Sequence, residues 1–375
     1  MDPNAHLLQF EEQRVERISP GIRVDTAQLQ TKHEDRISIV RFEHGTILAV
    51  FDGHYSSILS EYASETLPAL LSQRISKEGD VEEIMKETIE EFDKSLLTPI
   101  TALFEPGEDF SDPRWLDPAD YIHPVIGGYT KEEPQFKVGR RAVVGTTALI
   151  AYIDKDAKHL WVASLGDSDA VLGQRKDDGV WVATLLSERH NCINPEEVNR
   201  LCAEHPNEDL ENLIHYNRVC GALAVTRALG DHLMKAPRLM SARMLSYFSP
   251  SPVPPGIFVK WDREGLCTPP YLSSTPAVAH YEISPGQVLV LASDGLRDSL
   301  RVADESKLDV IVALATTGTH AGLAHPCIAL QSSDNLAEAV IRNALFGSDA
   351  EERARQLDPS CERDDISVVV VSFGV

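Results

Sequence analysis

Four apolar runs in this chain meet acids at their ends, and this pattern limits the possible folds more than any other feature. Ile47-Leu48-Ala49-Val50-Phe51 stops at Asp52-Gly53-His54, and Trp161-Val162-Ala163-Ser164-Leu165-Gly166 stops at Asp167. Val288-Leu289-Val290-Leu291-Ala292-Ser293 stops at Asp294-Gly295, and Asp364-Asp365 lead into Ile366-Ser367-Val368-Val369-Val370-Val371. Short uncharged runs bounded in this way read as buried strands. A single Asp-Gly at a strand end is usually a turn. Several acids at the ends of core strands can converge on one point in space.

The segments between these runs read as strand pairs and helix pairs. Arg36 to Phe42 alternates in character, and Glu43-His44-Gly45 turns it into the 47–51 run, which is a hairpin signal. Leu59, Tyr62, Ala63, Leu67 and Leu70 then fall three to four apart. Val81, Ile84, Ile89, Phe92 and Leu96 do the same, with Glu82, Glu83, Glu87 and Glu90 on a solvated opposite face. Strand signals return at 145–153, 160–165, 170–173 and 180–185, with Asp177-Asp178-Gly179 a turn. Helices are expected at 196–204, 308–315 and 336–345, and strands at 287–293 and 366–373. Proline-rich stretches mark two irregular inserts, at about 99–143 and 232–275. The expected organisation is an N-terminal arm over 1–22, with one edge strand, and a single domain over 23–375. Hairpin order with segregated helices predicts an α+β fold, most simply two antiparallel β-sheets face to face with helices on both outer faces. Trp161 and Trp181 are expected in the core.

Composition narrows the function. No apolar run reaches the roughly 18 residues of a membrane span. The formal net charge of −23 argues against nucleic acid as a partner, since a phosphate backbone needs a basic face. The six cysteines, Cys192, Cys202, Cys220, Cys267, Cys327 and Cys361, contain no CxxC pair, and read as reduced thiols. Leu7-Leu8 is too short for a signal-peptide core, and Asp2, Glu11, Glu12 and Glu16 are unlike a transit peptide. The expected location is cytoplasmic, with the nucleus open.

Glu34, Asp35, Asp52, Asp167, Asp294, Asp298, Asp364 and Asp365 all stand at strand ends. Buried carboxylates need a cationic partner, and few basic residues adjoin them. All-oxygen ligation selects hard ions such as Mg²⁺ or Mn²⁺. Two such ions would lower the pKa of a bridging water and aim it at phosphorus, so hydrolysis of a phosphate ester fits best. His54 could then protonate the leaving alkoxide, or serve to orient the site. No Cys or Ser stands beside a base as a nucleophile. His190, in Arg-His-Asn, reads as a structural hydrogen-bonding group.

Seven motifs in order carry a family resemblance: Glu34-Asp35-Arg36, Phe51-Asp52-Gly53-His54, Gly145-Thr146-Thr147-Ala148, Leu165-Gly166-Asp167-Ser168, Thr226-Arg227-Ala228-Leu229-Gly230-Asp231, Ala292-Ser293-Asp294-Gly295-Leu296 and Arg363-Asp364-Asp365-Ile366. From about Val24 onward the chain resembles the protein phosphatase 2C family of metal-dependent serine/threonine phosphatases. Leu186 to Asn191, Thr268-Pro269-Pro270-Tyr271-Leu272 and Asn335 to Leu345 look like its pyruvate dehydrogenase phosphatase branch, which implies a mitochondrial alternative for location. The resemblance implies that Asp52 bridges two ions, Gly53 offers its carbonyl, and Asp294 and Asp364 ligate one ion. It implies that Glu34 and Asp35 orient metal waters, and that Asp167 and Asp298 complete a weaker third site. It also implies that Thr226–Asp231 holds the second insert near substrate, so Thr226 and Arg227 are expected on the substrate side.

The chain departs from the family pattern at several points. The usual glycine after Asp-Gly-His is Tyr55 here. The usual arginine four residues before Glu34 is Gln30, and Arg23, Lys32 or Arg36 could replace it. The arginine usual after Gly-Asp-Ser is Asp169, and the tryptophan usual after Asp-Gly-Leu is Arg297. The expectation is a monomeric Mg²⁺- or Mn²⁺-dependent protein serine/threonine phosphatase acting on a phosphoprotein. The alternative is a pseudophosphatase that binds phosphoprotein as a regulatory module.

Overall fold

The computed structural model describes residues 11–19, 21–77, 79–101, 134–237, 240, 241, 244, 266, 268–356, 358 and 361–374. In chain order its strands are β1 (Glu11–Ser19), β2 (Ile22–Leu29), β3 (Arg36–Phe42), β4 (Gly45–Phe51), β5 (Gly53–His54), β6 (Gly145–Thr146), β7 (Ala148–Asp154), β8 (His159–Leu165), β9 (Asp169–Arg175), β10 (Trp181–Leu185), β11 (Ile214–His215), β12 (Arg218–Val219), β13 (Leu229–Gly230), β14 (Ala277–Glu282), β15 (Val288–Ala292) and β16 (Ile366–Phe373). Six form a sheet in the order β1-β2-β16-β15-β9-β10, and five form a second in the order β14-β8-β7-β4-β3. The short strands β13-β6-β5 make a third sheet, and β11-β12 a small ribbon. Adjacent strands in both large sheets run antiparallel.

The layers follow from the two-residue period of a strand. In β4, Leu48 and Val50 join Val24, Leu149, Leu291, Val369 and Val371 in one buried cluster between the two large sheets. Ile47, Ala49 and Phe51 belong to another, with Leu59, Ala63 and Leu67 of the helix Ser57–Ile75. β16 divides in the same way. Val369 and Val371 join the inter-sheet cluster, while Val368 and Val370 pack with Val310, Leu314, Val340 and Ile341 of the helices Lys307–Thr316 and Leu336–Leu345. Strands loaded on both faces need near-continuous apolar sequence, which is why these runs do not alternate. Each buried Val or Leu contributes about 1.5–3 kcal/mol. The fold is the expected α+β sandwich of two antiparallel sheets with helices on both outer faces.

Several local expectations change. The helix Pro134–Val143 lies in the stretch expected to be irregular. It opens on a proline, whose missing N–H has no partner to lose in a first turn. Its Ala142 and Val143 are buried, and the Arg141 guanidinium lies over the Tyr62 ring at 3.7 Å. The rest of that insert, 102–133, and most of 238–267 lie outside the described residues. β14 has no counterpart among the expected strands. Trp161 and Trp181 are half-buried instead of fully enclosed, and Trp161 stacks on Tyr152 at a centroid distance of 5.2 Å. Of the expected arm, residues 11–19 are the outer strand β1, paired with β2.

Candidate active site

Asp52 leaves the end of β4 and is held by its backbone. Its carbonyl accepts from Thr147 N at 2.8 Å and Thr146 Oγ1 at 3.0 Å, and its N–H donates to Thr147 Oγ1 at 3.2 Å. The Gly-Thr-Thr run therefore clamps the turn that carries Asp52. Gly53 allows a close approach: a Cβ there would lie 2.6 Å from the Glu34 carbonyl and 2.9 Å from Ser60 Oγ. Ser60 Oγ itself donates to the Glu34 carbonyl at 2.5 Å.

The loop bearing Glu34 and Asp35 is pinned by Asp365. One carboxylate oxygen accepts from the Thr31 and Lys32 N–H groups at 2.5 and 2.8 Å, and the other from Glu34 N–H at 2.7 Å. Burial pushes the Asp365 carboxyl up, but these backbone hydrogen bonds outweigh it and hold it below the usual range. Asp365, one of the acids grouped at strand ends, organises this loop, while Asp364 faces solvent beside it.

The expected acids are electrostatic neighbours. Burial is the first cause that raises the Asp52 carboxyl well above its ordinary range, and the charges of Asp35, Asp294, Asp167 and Asp364 push it further. Asp294, opening the short helix Asp294–Ser299, is raised by burial and then by Asp167, Asp298 and Asp364. Asp35 is 1% exposed and raised by burial, against the influence of the Ser293 and Ser367 hydroxyls, and its Oδ2 is buried with no hydrogen-bond partner. Glu34 is raised by burial, against the opposing charge of Lys32. A group of carboxylates that repel one another, one with an orphaned buried oxygen, suits a positive guest. Among the described residues no three His, Cys, Asp or Glu side chains close into a ready cage. The donors are all oxygen, a set that suits hard ions such as Mg²⁺ or Mn²⁺.

His54 faces a partner that sequence reasoning did not assign to it. Its Nε2 lies 2.7 Å from Asp231 Oδ2, and Asp231 is 2% exposed. Gly145 makes the space for this pair, because a Cβ there would collide with Asp231 Oδ2 at 2.0 Å and His54 Nε2 at 2.1 Å. Burial lowers the His54 proton affinity, but the Asp231 charge and hydrogen bond more than restore it, and the net shift is upward. Tyr55 stands edge-on to His54, with ring centroids 5.4 Å apart. Its φ of 66° is left-handed, a conformation that suits glycine better than an aromatic residue.

The residues expected on the substrate side are engaged elsewhere. Arg36 Nη1 donates to the backbone carbonyls of His33 at 3.0 Å and Asp35 at 2.6 Å. Thr226 is fully buried, and its Oγ1 donates to Glu197 Oε2 at 2.5 Å. Arg227 Nη2 donates to Glu197 Oε1 at 2.5 Å, and Arg200 Nη2 to Oε2 at 2.9 Å. Thr226 and Arg227 thus anchor the run that leads to Asp231. Of the three cations considered as replacements at Gln30, Arg23 pairs with Asp25 at 2.7 Å, and Arg36 is on its own loop. Lys32 Nζ reaches the acidic group, 2.9 Å from Asp364 Oδ1, with both side chains about half exposed. Asp298 is largely exposed and contacts Arg297. His190 is fully buried; burial drives its pKa down to about 3, and its Nδ1 accepts from Gly166 N–H at 3.3 Å, the structural role expected of it.

Residues 129–353 match the family described as protein phosphatase 2C. The mitochondrial pyruvate dehydrogenase (acetyl-transferring) phosphatase 1 of Bos taurus is 33% identical over 267 residues, 64% of this chain and 49% of that protein. A protein phosphatase 2C homolog of Schizosaccharomyces pombe is 34% identical over 251 residues, 62% of this chain and 53% of its own. The chain spans about half the length of the curated relatives it matches. Among solved structures, a serine-threonine phosphatase 2C from Toxoplasma gondii superposes with a TM-score of 0.55 at 15% identity, covering 96% of this chain and 99% of that one. A second Toxoplasma gondii phosphatase gives 0.56 at 17% identity, covering 94% and 93%. These two likenesses carry the fold. No helix among the described residues is long and apolar enough to cross a membrane.

Proposed function

This chain belongs to the protein phosphatase 2C family, and from that premise we propose that it is a metal-dependent phosphatase acting on phosphoserine and phosphothreonine in a phosphoprotein. The observation that carries the reading is the position of Asp52, Asp167, Asp294 and Asp364 beside neighbouring ends of β4, β8, β15 and β16, where their charges bear on one another. Asp52, the Gly53 carbonyl, Asp294 and Asp364 would hold two Mg²⁺ or Mn²⁺ ions, with Glu34 and Asp35 ordering water around them. Such ions, when bound, supply an activated water and offset the charge of a phosphate ester.

The chain's own groups do the rest. Asp231 holds His54 through Nε2 and favours the protonated ring. The other ring nitrogen, Nδ1, is then left to give its proton to the leaving alkoxide. Glu197 fixes Thr226 and Arg227, and through them the approach of Asp231. Lys32, half exposed and paired with Asp364, adds positive charge beside the acidic group, where an anionic substrate would be attracted.

Hydrolysis of p-nitrophenyl phosphate by the purified chain, with Mn²⁺, with Mg²⁺ and with chelator, tests the reading. Turnover that needs the metal supports it. The Tyr55 ring against His54 favours one second reading, a phosphoprotein-binding pseudophosphatase. No turnover from the folded chain with any metal, together with retained phosphopeptide binding, would select that second reading.

A further inference from the structure

Arg297 is a buried cation inside the acidic group. Its side chain is 12% exposed. Nη1 donates to the Asp167 carbonyl at 2.8 Å and lies 3.3 Å from Asp169 Oδ2. Nη2 lies 3.9 Å from Asp167 Oδ2, and Nε 3.5 Å from Asp298 Oδ1. One guanidinium therefore touches three carboxylates and the backbone of the turn that carries one of them. Sheet register explains the meeting. Asp169 at the start of β9 pairs with Ala292 at the end of β15, and the helix that begins at Asp294 brings Arg297 back over the same place.

The two residues that depart from the family pattern here compensate one another. Asp169 alone would add a nearly fully buried negative charge, and Arg297 alone a buried positive one, and either would be costly. Together they form an ion pair. Arg189 completes it with a two-pronged contact to Asp169, Nε to Oδ1 at 2.7 Å and Nη2 to Oδ2 at 2.9 Å. Arg189 and Arg297 share Asp169, and the other two Arg297 nitrogens turn toward Asp167 and Asp298. A fixed guanidinium beside those oxygens repels a divalent ion and supplies positive charge in its place.

We propose that Arg297 is a built-in cation that takes the place of a third divalent ion at Asp167 and Asp298, leaving the chain with the ions of the Asp52, Asp294 and Asp364 group alone. This rests on the metal-dependent reading of the site. Arg297 is a positioning residue: it holds the Asp167 turn and neutralises it, while bound ions act elsewhere.

Equilibrium dialysis against Mn²⁺, with bound metal counted per folded chain, tests the proposal without reference to turnover. The chains compared are the wild type, Arg297→Gln, Asp298→Asn and the double variant, with circular dichroism to confirm folding. Arg297→Gln is expected to bind one more Mn²⁺ than the wild type, at least about tenfold more tightly than any ion the wild type holds there. The double variant is expected to lose that ion, and Asp298→Asn alone to leave the wild-type count unchanged. Equal counts in wild type and folded Arg297→Gln would overturn the proposal. So would an ion lost from the wild type on Asp298→Asn, an arm that decides alone should Arg297→Gln fail to fold. A wild type that binds no Mn²⁺ at all would instead overturn the metal-dependent reading, and this proposal with it.

Discussion

Replacing Glu197 by Gln should destabilise the protein by about 3 kcal/mol near neutral pH, and the loss should fade in acid. Glu197 sits in the first turn of the helix Pro195–Glu204 with its side chain 3% exposed. Burial pushes its carboxyl up, but hydrogen bonds from Arg227, Arg200 and Thr226 prevail and bring it down to about 2 from an ordinary 4.5. At about 1.4 kcal/mol per tenfold change, that depression corresponds to about 3 kcal/mol. Removing one partner of a buried ion pair gives a similar figure, about 3–5 kcal/mol. Gln keeps the shape but leaves Arg200 and Arg227 facing a neutral amide. Unfolding entropy of roughly 2.1 cal/mol/K per residue makes this a fall in Tm of about 4 °C for a chain of this size. A carboxyl whose folded pKa is depressed contributes fully above 4.5 and loses its contribution as pH falls toward 2. The gap in Tm between wild type and Glu197→Gln should therefore be constant from pH 7 to about 5.5 and shrink steadily below 4.5. Thermal unfolding followed by circular dichroism at pH 7, 5.5, 4 and 3 measures it. A gap under about 1 °C at pH 7, or one as large at pH 3 as at pH 7, would refute the reasoning.

Two other substitutions probe separate layers. Asp93 is 2% exposed and accepts from Gly230 N–H at 2.7 Å and from Lys235 Nζ at 3.0 Å, beside His232; Asp93→Asn should lower Tm by about 4–6 °C in a thermal melt. Leu48 is fully buried between the sheets, and Leu48→Ala should cost about 2–5 kcal/mol in urea unfolding with an unchanged m-value.

What could be read in the sequence was what local pattern encodes. The 47–51 and 366–371 runs announced strands buried on both faces, and the helices Val81–Ser95 and Leu336–Leu345 announced themselves by their three-to-four spacing. β14 escaped because Ala277 to Glu282 is a short, half-exposed edge strand after a proline-rich stretch, with too little apolar sequence to show a period. The helix Pro134–Val143 is hidden in the sequence because its first proline reads as a breaker, although that position tolerates proline.

At the site, motif order marked the acids. Long-range pairings stayed hidden because sequence spacing does not carry them. Glu197 lies 30 residues from Arg227, and Asp231 lies 177 from His54. The departures at Asp169 and Arg297 looked like separate losses in the sequence and become one ion pair only in space. Arg36 illustrates the reverse: a cation in the right motif that turns onto its own backbone.

The most direct test of the central claim is phosphate release from a phosphothreonine peptide by the wild type and by Asp294→Asn, each with Mn²⁺ and with chelator. Steady release by the wild type with Mn²⁺, abolished by chelator and lowered at least about 100-fold in a folded Asp294→Asn, is the predicted result. Undiminished release by Asp294→Asn, or release that continues in chelator, would contradict a phosphatase built on metal-holding carboxylates.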